Sequence, residues 1–151
     1  MIWSLVYNLI LLPLFIASIF ILGIFNGKIR KGIFGRIRSR KLINDFANKA
    51  KNNDIYWFHA ASLGEYEQIK PILTGLKEVE PEAFFVISFF SPSGFDYVED
   101  NDVDCKIYLP FDFRWSVKYY LKKLNPRKVV IAGYDVWPNL IWVAKELNIH
   151  S

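Results

Sequence analysis

The stretch His59-Ala60-Ala61-Ser62-Leu63-Gly64-Glu65 sets a carboxylate three residues after a serine, directly behind the apolar run "DIYWFHA" (54–60). A carboxylate so placed can take the proton of a hydroxyl nucleophile once the substrate oxygen comes within hydrogen-bond reach. The free N–H groups of the helix that begins here form a natural anion site. Gly64 lets the backbone bend sharply or a ligand come close. The same residues allow a purely architectural reading, in which Ser62 caps the helix and Glu65 complements its dipole. His59, inside the apolar run, reads as a packed core histidine.

Two further turns carry polar groups. "FFSPSG" (89–94) offers the hydroxyls of Ser91 and Ser93 and the flexible Gly94, suited to a sugar or a phosphate, or equally to a Ser-Pro turn that caps a helix. "AGYDVWPN" (132–139) sets Asp135 beside Trp137 and Asn139. An aromatic ring next to an acid suits a sugar cleft, while core packing for Trp137 and a helix-start acid for Asp135 is the alternative. In "YLPFDF", Asp112 reads as the N-cap of a helix over 114–124, with no catalytic role. The single cysteine, Cys105, sits among carboxylates that raise its pKa, so a nucleophilic role is disfavoured. There is no zinc-type Cys/His spacing, no GxGxxG and no Walker A sequence.

These turns need elements to hold them. Apolar, β-rich runs at 54–60, 83–90, 105–110 and 128–133 alternate with helical spacing at 65–79, 95–101, 114–124 and 137–147. Strands apolar along their whole length, separated by helices, indicate a parallel sheet covered on both faces. The fold class is α/β, a Rossmann-like parallel sheet with flanking helices, where ligands collect at the carboxyl ends of the strands.

Ahead of this domain, Ile2 to Phe25 is free of charge and long enough to cross a bilayer as a helix. The run 28–41 follows with seven Lys or Arg and no acid, and 42–54 has the pattern of an amphipathic helix. The charges come after the apolar segment, unlike a signal peptide. By the positive-inside bias they place the domain in the cytoplasm, beside anionic headgroups. Whether the anchor spans fully or lies obliquely in one leaflet is open, because Pro13 and Asn8 permit either. The expected organisation is an anchor (1–27), a basic juxtamembrane segment with an amphipathic helix (28–53) and the Rossmann-like domain (54–151). Residues 42–151 sum to −3, which argues against a nucleic-acid-binding face there.

In order, these features resemble the N-terminal half of the 3-deoxy-D-manno-octulosonic acid (Kdo) transferases. The resemblance rests on the apolar anchor and basic run, and on His59, Ala60, Ser62, Gly64 and Glu65. It rests also on Ser91, Pro92 and Gly94, on Tyr108 to Asp112, and on Trp137, Pro138 and Asn139. It implies the acceptor-side half of a GT-B glycosyltransferase, transferring Kdo from CMP-Kdo to the lipid A precursor with inversion, without a metal or other cofactor. Glu65 is then the general base. Ser62, Gly64, Ser91, Ser93, Gly94, Asp135, Trp137 and Asn139 are expected to bind substrate. The partners implied are the lipid A precursor and an anionic membrane surface, with CMP-Kdo held only where a donor domain is supplied. The family usually carries Glu-Thr-Glu before its Leu-Trp-Pro-Asn, where this chain has Gly133-Tyr134-Asp135. With no donor domain in these residues, the chain alone is expected to lack transferase activity. The alternative is a non-catalytic, membrane-anchored lipid A or sugar-binding module, or a degenerate relative.

Overall fold

Six- and four-residue apolar runs pair side by side in register because each can bury both of its faces. The computed structural model describes the 151-residue chain except Met1, Asn52 and Tyr134. Strands β1 (Ile55–Ala60), β2 (Phe84–Phe89), β3 (Cys105–Tyr108) and β4 (Lys128–Ile131) form one sheet in the order β3-β2-β1-β4. Every pairing is parallel, with Trp57 opposite Val86 and Val129, and His59 opposite Ser88 and Ile131. The sheet is thus α/β and Rossmann-like, as the apolar strand runs predict.

Alternate residues serve opposite faces. Tyr56, Phe58, Phe85, Ile87 and Phe89 pack with Tyr66, Ile69 and Leu73 of helix α4 (Leu63–Val79). Ile55, Trp57, Val86, Ile107 and Val129 pack against α3 (Gly27–Lys49), α6 (Arg114–Leu124) and α7 (Pro138–Glu146). A short helix, α5 (Pro92–Tyr97), follows β2. It begins earlier than the helix expected at 95–101, because Ser91 caps it and Pro92 stands at its first position, and it ends before Val98, which turns in extended.

The N-terminal apolar segment is helical from α1 (Ile2–Val6) through a π-helical turn (Tyr7–Leu11) to α2 (Leu12–Phe25). By length and composition it could cross a membrane. The basic run is not a separate segment. It continues into the amphipathic helix as the single helix α3, started by Asn26, whose side chain accepts from the N–H of Lys28 and of Ile29. Its inner stripe is Gly32, Ile33, Arg36, Ser39, Ile43 and Phe46, a helical spacing that packs on the sheet. The Ser39 hydroxyl accepts from the N–H of Tyr108 at 2.8 Å, so α3 covers the β3 edge.

Asp112 joins these layers. It does not cap α6, whose N-cap position is Phe113, without a side-chain cap. Its carboxylate instead accepts from the N–H groups of Asn139 (2.9 Å) and Leu140 (3.0 Å), filling the free donors of α7, and from the Tyr7 hydroxyl (2.8 Å). The group is 1% exposed, and burial outweighs these donors, pushing its pKa up to about 6. The native state therefore binds more protons than the unfolded chain between about pH 4 and pH 6. This contribution is full at acid pH and lost as pH rises through about 6, on the order of 3 kcal/mol by neutrality. Thermal unfolding in nonionic detergent should show that loss in the native chain and not in Asp112→Asn. Asp112→Ala, which strands two buried N–H donors, should cost about 2–3 kcal/mol at neutral pH.

Candidate active site

In the order β3-β2-β1-β4 the chain winds outward from β1 to β3, then returns to the other side of β1 to form β4. The reversal opens a crevice beyond the carboxyl ends of β1 and β4, the place where open α/β sheets bind ligands. The turn that carries Glu65 leaves β1, and the turn that carries Gly133 and Asp135 leaves β4.

Ser62 is the N-cap of α4, its hydroxyl 3.5 Å from the Glu65 N–H, so the capping reading is realised. The Glu65 carboxylate folds back, and its Oε2 accepts the Ala61 N–H at 2.6 Å. Oε1 is turned toward β4, 3.4 Å from where a Cβ on Gly133 would stand. Capping and presentation of one oxygen to the crevice are compatible. Gly64 lies within the first turn of α4 and makes no sharp bend. A Cβ there would meet nothing within 4 Å, so packing does not require a glycine at this position.

His59 is buried, as expected of a core histidine, and it also belongs to a polar chain that enters the crevice. Trp57 Nε1–H donates to Ser88 Oγ (2.8 Å), and Ser88 Oγ is 3.0 Å from His59 Nδ1. His59 Nε2 is 3.4 Å from Asp135 Oδ2, which also accepts the Trp137 Nε1–H at 3.1 Å. Nδ1 also lies 3.0 Å from the Ser88 carbonyl, so one ring nitrogen is held by Ser88 while the other faces Asp135. Burial works to raise the Asp135 pKa, but the bonds from His59 and Trp137 outweigh it and hold the carboxyl below its ordinary value. Asp135, half-buried, is an oriented carboxylate at the crevice. Tyr134 lies outside the described residues.

Three expected substrate contacts are packed elsewhere. Gly94 is buried against the Phe89 ring, which a Cβ would strike, so its glycine serves packing. The Trp137 ring is 7% exposed and stacks on Phe90 at 5.1 Å between centroids, so it offers no free face to a sugar. Asn139 is fully buried, its amide exchanging bonds with Asn8 (2.7 and 3.3 Å) and donating to the Asp112 carbonyl. Its N–H is held by the Asp112 carboxylate, so it joins the apolar helix to α7. Ser91 and Ser93 remain at the surface, their hydroxyls 2.8 Å apart, with Ser91 also accepting the Ser93 N–H. Burial first, and Asp104 second, push the Cys105 thiol up to about 12 and leave it inert. Among the described residues no three His, Cys, Asp or Glu side chains gather at metal-binding distance.

Gly133, which the sequence marks as a departure from the family pattern, has φ of +66° and lies against Glu65. One residue that matters here was not singled out by type. Arg36 falls on the buried stripe of α3, a position that the i, i+3, i+4 spacing of Gly32, Ile33, Ser39 and Ile43 would have marked.

Together these features define a Rossmann-like domain with a carboxylate in each of the two turns at its switch point. The family described as 3-Deoxy-D-manno-octulosonic-acid transferase (kdotransferase) matches residues 32–151, and the chain belongs to it. It is 33% identical over 91 residues to a 3-deoxy-D-manno-octulosonic acid transferase of Aquifex aeolicus, covering 59% of this chain and 25% of that protein. Another of that name, from Haemophilus influenzae, is 29% identical over 87 residues, covering 56% of this chain and 20% of its own. A probable mitochondrial one from Arabidopsis thaliana is 28% identical over 98 residues, covering 63% and 22%. The matched part spans a quarter or less of these relatives' length.

Gly133→Ala tests the crevice wall. The left-handed backbone and the Glu65 contact at 3.4 Å should together cost about 1–2 kcal/mol, read as a lowered melting temperature.

Proposed function

We propose that this chain forms the acceptor side of a glycosyltransferase that moves Kdo from CMP-Kdo to a lipid A precursor in lipopolysaccharide biosynthesis. The observation that carries the reading is the Glu65 carboxylate at the switch point, one oxygen fixed by the Ala61 N–H and the other turned into the crevice. Oε1 takes the proton of an acceptor hydroxyl as that oxygen attacks the anomeric carbon of Kdo. The new C–O bond forms while the bond to the CMP phosphate oxygen breaks, and the electron pair leaves with CMP. One displacement of this kind inverts the anomeric centre, and none of its steps calls on a metal or cofactor. Asp135, oriented by His59 and Trp137, accepts a hydrogen bond from a second sugar hydroxyl, with Ser62 and Gly64 lining the approach. The donor belongs to the part of the relatives that this chain does not match.

A second reading, a lipid A or sugar-binding module without catalysis, is favoured by Gly133, which stands where the family usually has an acid. Glu65→Gln separates the two. The amide oxygen can still accept from Ala61, so fold and binding persist. Transfer from labelled CMP-Kdo by the enzyme carrying this chain should fall by about a hundredfold or more. Unchanged transfer would remove Glu65 from the mechanism.

The apolar helix supports an anchorage in the cytoplasmic leaflet of the inner membrane. It is held along its length by the domain, through Tyr7 to Asp112, Asn8 to Asn139, Phe15 to Phe90 at 6.3 Å and Phe20 to Phe111 at 5.9 Å. Contacts from residue 7 to residue 20 extend about 20 Å along a helix, so it lies beside the domain instead of leaving it. Its outer residues Trp3, Leu9, Leu14 and Ile24, with Phe34 and Ile37 of α3, are exposed and apolar. Exposed Lys and Arg on α3 suit anionic headgroups beside them. Trp3→Cys in a Cys105→Ser background should resist an impermeant maleimide applied from the periplasmic side. Labelling from that side would show a full span.

A further inference from the structure

Arg36 is the buried cation of this fold. It is 8% exposed, and among the described residues no carboxylate pairs with it. Its Nη1 donates to the Gly32 carbonyl (2.9 Å) and its Nη2 to the Phe90 carbonyl (3.1 Å), while Nε has no partner. Its guanidinium lies over the rings of Phe90 (4.6 Å) and Phe111 (4.9 Å). A buried charge normally has an ionic partner, and one left with carbonyls and ring faces calls for an anion.

Arg36 lines a cleft of about 740 Å³ between α2, α3 and the Ser91-Pro92-Ser93 turn, a volume in the range of ligand pockets. Phe15, Ile19 and Phe90 form an apolar wall continuous with the exposed apolar helix. Lys28 and Lys31 stand at the rim. The one carboxylate there, Asp96, is neutralised by Lys31 at 2.7 Å, which leaves Lys28 and Arg36 as net positive charge. The paired hydroxyls of Ser91 and Ser93 have one proton free to donate outward. The turn is tied to the crevice, because the Ser91 N–H donates to the carbonyl of Ala61, whose own N–H holds Glu65.

We propose that this cleft is a phosphate-monoester subsite for a membrane-embedded amphiphile, with Arg36, Lys28 and the Ser91–Ser93 hydroxyls around the anion and the chains along Phe15 and Ile19. The assignment deepens the acceptor-side reading above and rests on it. Each Nη spends one of its two N–H groups on a carbonyl, so with Nε–H the guanidinium keeps donors for an anion. Donors arriving separately from α3 and from the turn suit a tetrahedral anion with several oxygens. Burial also lowers the Arg36 pKa to about 10, a cost that a bound anion would offset.

The test is calorimetric titration of the full chain in a nonionic detergent with dihexanoyl phosphatidic acid, with dihexanoylglycerol and with inorganic phosphate. The phosphatidic acid should bind at least about tenfold more tightly than the diacylglycerol, the size of one charge-assisted hydrogen bond. Arg36→Gln should remove that preference. Arg36→Gln alters a buried, bonded side chain, so a second variant is needed: Ser93→Ala, on an exposed hydroxyl, should weaken phosphatidic acid binding several-fold with the melting temperature unchanged. Equal binding of the two lipids, or phosphatidic acid binding unaltered in Ser93→Ala and in folded Arg36→Gln, would overturn the proposal. Inorganic phosphate binding as tightly as phosphatidic acid would overturn the lipid source and leave a free-phosphate site. Glu65→Gln should bind phosphatidic acid like the native chain. Loss of transfer in that variant with no phosphate preference in the native chain sinks the subsite alone, and phosphate preference with transfer retained sinks the catalytic reading alone.

Discussion

One buried carboxylate ties the apolar helix to the sheet that carries the site. Asp112 fills the empty donors at the start of α7 and takes the Tyr7 hydroxyl, while Asn139 beside it exchanges amide bonds with Asn8. Removing water from a carboxylate is costly, and three donors only partly offset it, so its pKa rises to about 6. What this node secures is position. It aligns the apolar helix along the domain, and it fixes the start of α7 next to the turn that bears Asp135. The cleft under Phe15 and Ile19 exists because the helix is held there.

The strands and most helices were legible because their patterning is strong. Helix 114–124 is where its spacing puts it, and the four apolar runs became the four strands. The sheet's cover was less legible. The basic run reads as a juxtamembrane segment because its charges hide a stripe of Gly32, Ile33, Arg36 and Ser39, which makes α3 a structural layer. Proximity across the chain was least legible. Asp112 looked like a local cap for the helix two residues on, yet the free donors it satisfies are those of Asn139 and Leu140, brought to it by the sheet order. Trp137, Asn139 and Gly94 have residue types that suit sugars, but type alone does not reveal that ring stacking, an amide pair and a close ring contact have already claimed them.

The site therefore shrinks and sharpens. Glu65 and Asp135 face the crevice from the two sides of the switch point. Each is oriented by groups behind it, the Ala61 N–H for one and the His59 and Trp137 donors for the other. Gly133, in a left-handed backbone, brings no side chain to the Glu65 carboxylate beside it. The family match over residues 32–151 includes both turns.

The most direct measurement is an experimental structure of this chain with an acceptor glycolipid bound. The account predicts an acceptor hydroxyl within about 3.2 Å of Glu65 Oε1, with Oε2 still bound to the Ala61 N–H. A bound acceptor whose hydroxyls all lie beyond reach of Glu65, even through one water, would contradict it.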